Sequence, residues 1–68
     1  MKQEIKTALG LIGEAINLIQ GVIDDREEYF EGKSEKWQES PAGEDYSDQT
    51  RDLEERIFEL EEVIAALS

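Results

Sequence analysis

Apolar residues in this sequence fall into two blocks, and within each block they recur at the spacing of an α-helix. The second block alternates steps of four and three without a miss, through Tyr46, Thr50, Leu53, Ile57, Leu60, Ile64 and Leu67. That alternation is the seam of a helix packed against another helix. The first block extends from about Gln3 to Glu31 with the same periodicity. The two blocks together predict an all-α chain.

The apolar surface of the first block is wider than one neighbouring helix can cover. Its apolar positions span an arc of roughly 160°, against the ~100° that suffices for a helix facing a single core. Arg26 is the one charged residue that interrupts the pattern. We therefore expect a second copy of the chain to cover the remainder, giving a dimer that forms a four-helix bundle, or a larger helical oligomer. The residues predicted at this interface are Leu9, Ile12, Ile16, Ile19 and Ile23.

The segment between the two blocks carries the signals of a bend. Gly32 follows the last periodic residue and suits a helix C-cap, and Ser34 suits the N-cap of a short turn that carries Trp37. Ser40 followed by Pro41 is a typical helix start. A connection this short predicts that the helices fold back antiparallel. We expect one domain over residues 1–68, with a helix at 3–31, a bend at 32–40 and a helix at 41–66.

Composition excludes several kinds of site. The 68 residues include neither Cys nor His, so there is no disulfide, no Cys/His zinc site and no catalytic Ser-His-Asp or Cys-His set. No cofactor is expected. The most apolar segment, Ala8 to Ile23, is too short and too polar to span a bilayer, and we expect a cytoplasmic protein.

The charge of the chain is segregated along its length. Side chains of residues 1–23 sum to zero, whereas residues 24–62 carry the whole net charge of -11. Such a surface repels nucleic acid and anionic lipid, so neither is expected as a direct partner. It is either a solvated face or a recognition surface for a basic protein, where it would imitate the phosphate rows of DNA. The candidate partner-binding residues are Asp24, Asp25, Glu28, Glu31, Glu35 and Glu39, with Trp37 as a candidate anchor.

Two further groups of residues each allow two interpretations. Trp37 together with Tyr29, Phe30 and Tyr46 predicts an aromatic cluster at the bend, which either seals the end of the bundle or forms a binding hot spot. A stripe of small residues on the first helix contains Gly10, Gly13, Asn17 and Gly21. The stripe either allows close approach of a partner or ligand, or consists of glycines that the surface tolerates.

Carboxylates also recur at helical spacing, which is one way to hold Mg²⁺ in a helical bundle. These residues are Glu28 with Glu31, and Asp52, Glu55, Glu59 and Glu62. Because Leu53, Ile57 and Leu60 fill the seam, we expect the second set to point away from any shared core. No metal site and no enzymatic activity are therefore expected.

Residues 27–46 contain Glu27, Glu28, Tyr29 and Phe30, then Ser34-Glu-Lys-Trp-Gln-Glu-Ser40, then Gly43, Glu44 and Tyr46. This pattern resembles short acidic helical-hairpin proteins encoded by bacteriophages and prophages. The sequence departs from it at Pro41 and Ala42, where that pattern has charged residues. The resemblance implies a phage gene product in the host cytoplasm that binds and blocks a host factor such as a defence nuclease. It implies no catalytic residue.

The leading functional hypothesis is thus a non-enzymatic inhibitor that occupies a basic or nucleic-acid-binding site on a host protein. One alternative is a purely structural homo-oligomeric bundle. The other is a Mg²⁺-dependent nucleotide hydrolase or a ligand sponge.

Overall fold

The computed structural model describes residues 2–68, and its regular elements are three α-helices. Helix α1 spans Gln3–Glu31, the short helix α2 spans Glu35–Glu39, and α3 spans Pro41–Leu67. The described residues contain no β-strand, and the all-α prediction is confirmed. The long helices begin where the periodic pattern predicts, and α3 ends one residue beyond the predicted 66.

The two long helices pack against each other in antiparallel directions. Arg26, near the end of α1, bonds to residues 46–50 near the start of α3. Earlier in α1, Gln20 lines a cleft with Ile57 and Phe58, which come later in α3. The hairpin is a rod of 53 × 16 × 11 Å.

Serine side chains begin both helices at the bend, as the sequence predicts. The hydroxyl of Ser34 accepts a hydrogen bond from the Trp37 N–H at 3.2 Å and caps α2. The hydroxyl of Ser40 accepts one from the Gly43 N–H at 3.2 Å and caps α3, whose first residue is Pro41. Gly32 ends α1, but its φ of -75° is right-handed, so this position does not require glycine.

Gly43 is the position where the bend is tightest. This buried glycine lies under the backbone of α2, and a Cβ placed there would meet the carbonyl oxygen of Trp37 and come within 2.6 Å of that of Gln38. The absence of a side chain therefore lets α2 rest directly on the first turn of α3. The sequence pattern did not single out this glycine.

The core of a single hairpin is thin. Among the described residues, the buried apolar side chains are Ile23, 1% exposed, and Ile57, 7% exposed, with Thr50 buried beside them. Ile23, one of the residues predicted at the interface with a second copy, is enclosed within a single chain. The other residues predicted at that interface, Leu9, Ile12, Ile16 and Ile19, are half-buried. Large apolar side chains on other faces of the helices are far more exposed.

Candidate functional site

Four aromatic rings pack together at the bend. Trp37 lies at its centre, with ring centroids 6.2 Å from Tyr29, 5.8 Å from Phe30 and 5.9 Å from Tyr46, all in edge-to-face geometry. Edge-to-face packing is a favourable arrangement of aromatic quadrupoles. The predicted cluster is present, and it connects all three helices. Trp37 is half-buried, so most of its contact surface is used within the fold.

Arg26, the apparent break in the apolar pattern of α1, joins α1 to α3. Its guanidinium donates hydrogen bonds to the Thr50 hydroxyl at 2.9 Å, the Tyr46 carbonyl at 3.1 Å and the Gln49 side-chain oxygen at 3.2 Å. The same group stacks 3.9 Å from the centroid of the Tyr46 ring. Thr50 in turn donates to the Tyr46 carbonyl. The positive charge of Arg26 is thus directed inward, to neutral groups.

Lys33 is also directed to neutral groups. Its ammonium lies 4.5 Å from the centroid of the Tyr29 ring and 5.6 Å from that of Trp37. Both distances fall within the range of cation–π attraction. Arg26 and Lys33 therefore contact aromatic rings or neutral oxygens of the fold, whereas Lys36, next to Glu35, is exposed.

The six predicted partner-binding acids are all exposed. Asp24, Asp25, Glu28 and Glu31 lie on the last two turns of α1, and Glu35 and Glu39 are the first and last residues of α2. None of the six forms an ion pair with a described residue. We call these six residues the acidic bend surface. Asp24 accepts one hydrogen bond, from the Gln20 amide.

The ion pairs of residues 2–68 all lie on α3. Arg51 pairs with Asp48 at 3.3 Å, and Arg56 pairs with Asp52 and Glu59 at 2.9 Å each. The hydrogen bond from Arg56 to Asp52, aided by the charges of Asp52 and Glu59, raises the pKa of the guanidinium. These contacts partly neutralise the side of α3 on which they lie, whereas the acidic bend surface keeps its full charge.

The carboxylates considered for Mg²⁺ do not converge. Within the described part of the chain, no three acidic side chains come close enough to hold an ion. Asp52 and Glu59, two of the four candidates on α3, are occupied by Arg56.

An open cleft between α1 and α3 was not predicted. Arg26, Phe30 and Thr50 line it together with the exposed acids Glu27, Glu31 and Glu54. At this level of the hairpin the contacts of Arg26 with α3 are polar. The cleft joins the acidic bend surface through Glu31.

Comparison with known proteins and the hydropathy of the helices both gave negative results. Compared with known protein families, curated proteins and solved structures, the chain matches none. None of the helices in residues 2–68 combines the length and the hydropathy that a bilayer crossing requires.

Proposed function

We propose that this protein is a non-enzymatic interaction module whose acidic bend surface binds a basic site on another protein. The observation that carries the proposal is the disposition of charge at the bend. Six exposed carboxylates lack a described ion pair, while Arg26 and Lys33 contact neutral groups. A group of exposed carboxylates without a described ion pair therefore lies at the bend end of the rod, and further acids extend along α3.

The shape of the surface suits a groove that accepts a nucleic acid. Asp24, Glu28 and Glu31 repeat at three- and four-residue steps on α1, which places neighbouring carboxylates about 5–6 Å apart at their Cβ atoms. Phosphates along one DNA strand also form a regular row, with one charge per ~3.4 Å of helix axis. The aromatic cluster and the Arg26 contacts fix the helices that present these acids. A partner with a row of Lys or Arg would exchange its bound anions for the carboxylates.

The resemblance of residues 27–46 to phage-encoded proteins gives the proposal a biological setting. In that setting the partner is a host nucleic-acid-binding protein, and occupation of its basic site would block it. The alternatives of a purely structural bundle and of a Mg²⁺-dependent hydrolase predict no role for the charge of the bend in binding a protein.

The test compares two variants with equal charge. The bend variant carries Asp24→Asn, Glu28→Gln, Glu31→Gln and Glu35→Gln. The control variant carries Glu54→Gln, Glu55→Gln, Glu61→Gln and Glu62→Gln. Each removes four of the negative charges, which takes the net charge from -11 to -7. Immobilised wild type and variants are used to capture proteins from bacterial lysate, and each captured protein is purified and titrated.

A specific partner binds the wild type and the control variant with dissociation constants within about threefold, and the bend variant at least tenfold more weakly. Duplex DNA displaces it, and its affinity falls steeply with added salt. Equal weakening by both variants, or a partner whose binding is insensitive to salt and to DNA, would contradict the proposal. Mg²⁺-dependent nucleotide hydrolysis that the bend variant loses would favour the enzyme alternative.

A further inference from the structure

An apolar ridge on α1 faces solvent along a line separate from the core. Leu11, Leu18 and Val22 are 61%, 74% and 50% exposed, although all three are large apolar residues. At 3.6 residues per turn these three side chains fall within about 40° of one another around the helix axis. Nothing lies within 4 Å of the position a Cβ would occupy at Gly21, on the neighbouring line of the helix. A second helix therefore meets no obstructing side chain there.

We infer that a second copy of this chain covers the ridge, with the two α1 helices packed antiparallel across a twofold axis. The exposed area of the hairpin supports this arrangement. A compact monomer of 7.8 kDa exposes about 4,400 Å². The single hairpin exposes 5173 Å². The excess of roughly 800 Å² equals what each partner contributes to an interface of standard size.

The distribution of charge along the chain also favours a second copy as the occupant and indicates the direction in which it packs. The ridge lies in the segment 1–23, whose side-chain charges sum to zero, so the two α1 segments that would meet carry no net charge. A parallel arrangement would place the two acidic bend surfaces side by side. An antiparallel arrangement places the two bends at opposite ends of the assembly. Leu11 of one copy then lies opposite Val22 of the other, about the axis near residues 16 and 17.

This inference is independent of the acidic bend surface, because the ridge contains none of its six residues. It differs from the interface predicted by the sequence pattern, which used the side of α1 that α3 covers. Phe58 provides a matched control: it is 64% exposed, lies on α3, and lines the cleft with Gln20 and Glu61.

The experiment compares the wild type with the variants Leu18→Gln and Phe58→Gln. Analytical ultracentrifugation measures the mass of each protein from about 5 to 500 μM, and thermal unfolding is followed at the same concentrations. We expect the wild type to reach twice the chain mass and to melt at higher temperature as its concentration rises. Leu18→Gln should weaken dimerisation at least tenfold, and Phe58→Gln less than about threefold. If Leu18→Gln unfolds and Phe58→Gln does not, the result also supports the inference. In a single hairpin the Leu18 side chain is mostly exposed, so its replacement should not unfold the chain.

Two results would overturn it. One is a folded wild type of single-chain mass, with an unchanged melting temperature, at the highest concentration. The other is equal weakening by the two substitutions. The direction is tested with a spin label at Lys36→Cys, which is possible because the chain has no other cysteine. Antiparallel packing separates the two labels by about 40 Å or more, whereas a separation under about 25 Å would overturn that arrangement.

Discussion

At the scale of single residues, Gly43 determines how closely α2 approaches α3. Its position under the carbonyl oxygens of Trp37 and Gln38 leaves no space for a methyl group. At Gly32, at the other end of the bend, a Cβ would lie 3.5 Å from its nearest neighbour, the carbonyl oxygen of Glu28, which is ordinary contact. Close packing at the bend therefore requires glycine at position 43 but not at position 32.

Gly43→Ala should lower the free energy of unfolding by about 1–3 kcal/mol, because the backbone of α2 must move and the packing of Trp37 with it. Gly32→Ala should change it by less than about 0.5 kcal/mol. Urea denaturation followed by circular dichroism measures both, and Trp37 fluorescence reports the bend separately. Equal effects of the two substitutions would show that α2 does not rest on α3 in solution.

Sequence patterns could not identify Gly43, because its constraint comes from carbonyl oxygens of a different helix. The sequence signals that correctly predicted structure at this scale are local ones. Ser34 and Ser40 cap helices through N–H groups three residues away, and such spacing is visible in the sequence itself.

At the scale of elements, polar contacts of Arg26 join α1 and α3 near the bend, next to the aromatic cluster. The guanidinium makes three hydrogen bonds to α3 and stacks on Tyr46. The periodicity of α1 predicted the bounds of the helix correctly but treated Arg26 as an interruption. Its partners lie 20–24 residues away, and only the antiparallel pairing brings them within reach.

Arg26→Lys should lower the free energy of unfolding by about 1–3 kcal/mol. A lysine keeps the charge but lacks the planar fork that bonds three oxygens and stacks on a ring. Arg51→Lys is the matched control, because Arg51 pairs with Asp48 where both side chains are 67% exposed. This substitution should lower the free energy of unfolding by less than about 0.5 kcal/mol. Chemical denaturation of the two variants side by side gives the difference. A similar loss in both would mean that the Arg26 contacts contribute no more than a surface ion pair.

At the scale of the whole molecule, negative charge extends from the bend along α3, whereas residues 1–23 carry no net side-chain charge. The sequence predicted this division, because charges outside an apolar seam must face solvent. It could not divide the broad apolar arc of α1 between α3 and a second copy. Ile23 and Leu18 both belong to that arc, yet one is enclosed by the hairpin and the other is mostly exposed. Which residue faces α3 depends on the rotation of α1 about its own axis.

This charge division predicts that added salt acts in opposite directions on folding and on binding. Like charges concentrated over residues 24–62 repel one another, so screening should raise the melting temperature of the free protein between about 10 and 500 mM NaCl. The same screening should weaken the complex of the acidic bend surface with a basic partner. The variant Glu54→Gln, Glu55→Gln, Glu61→Gln and Glu62→Gln, with its charge of -7, should show a smaller rise. A melting temperature that falls with salt would mean that the pairs of Arg51 and Arg56 outweigh the repulsion, and that the excess charge is less concentrated than the structure indicates.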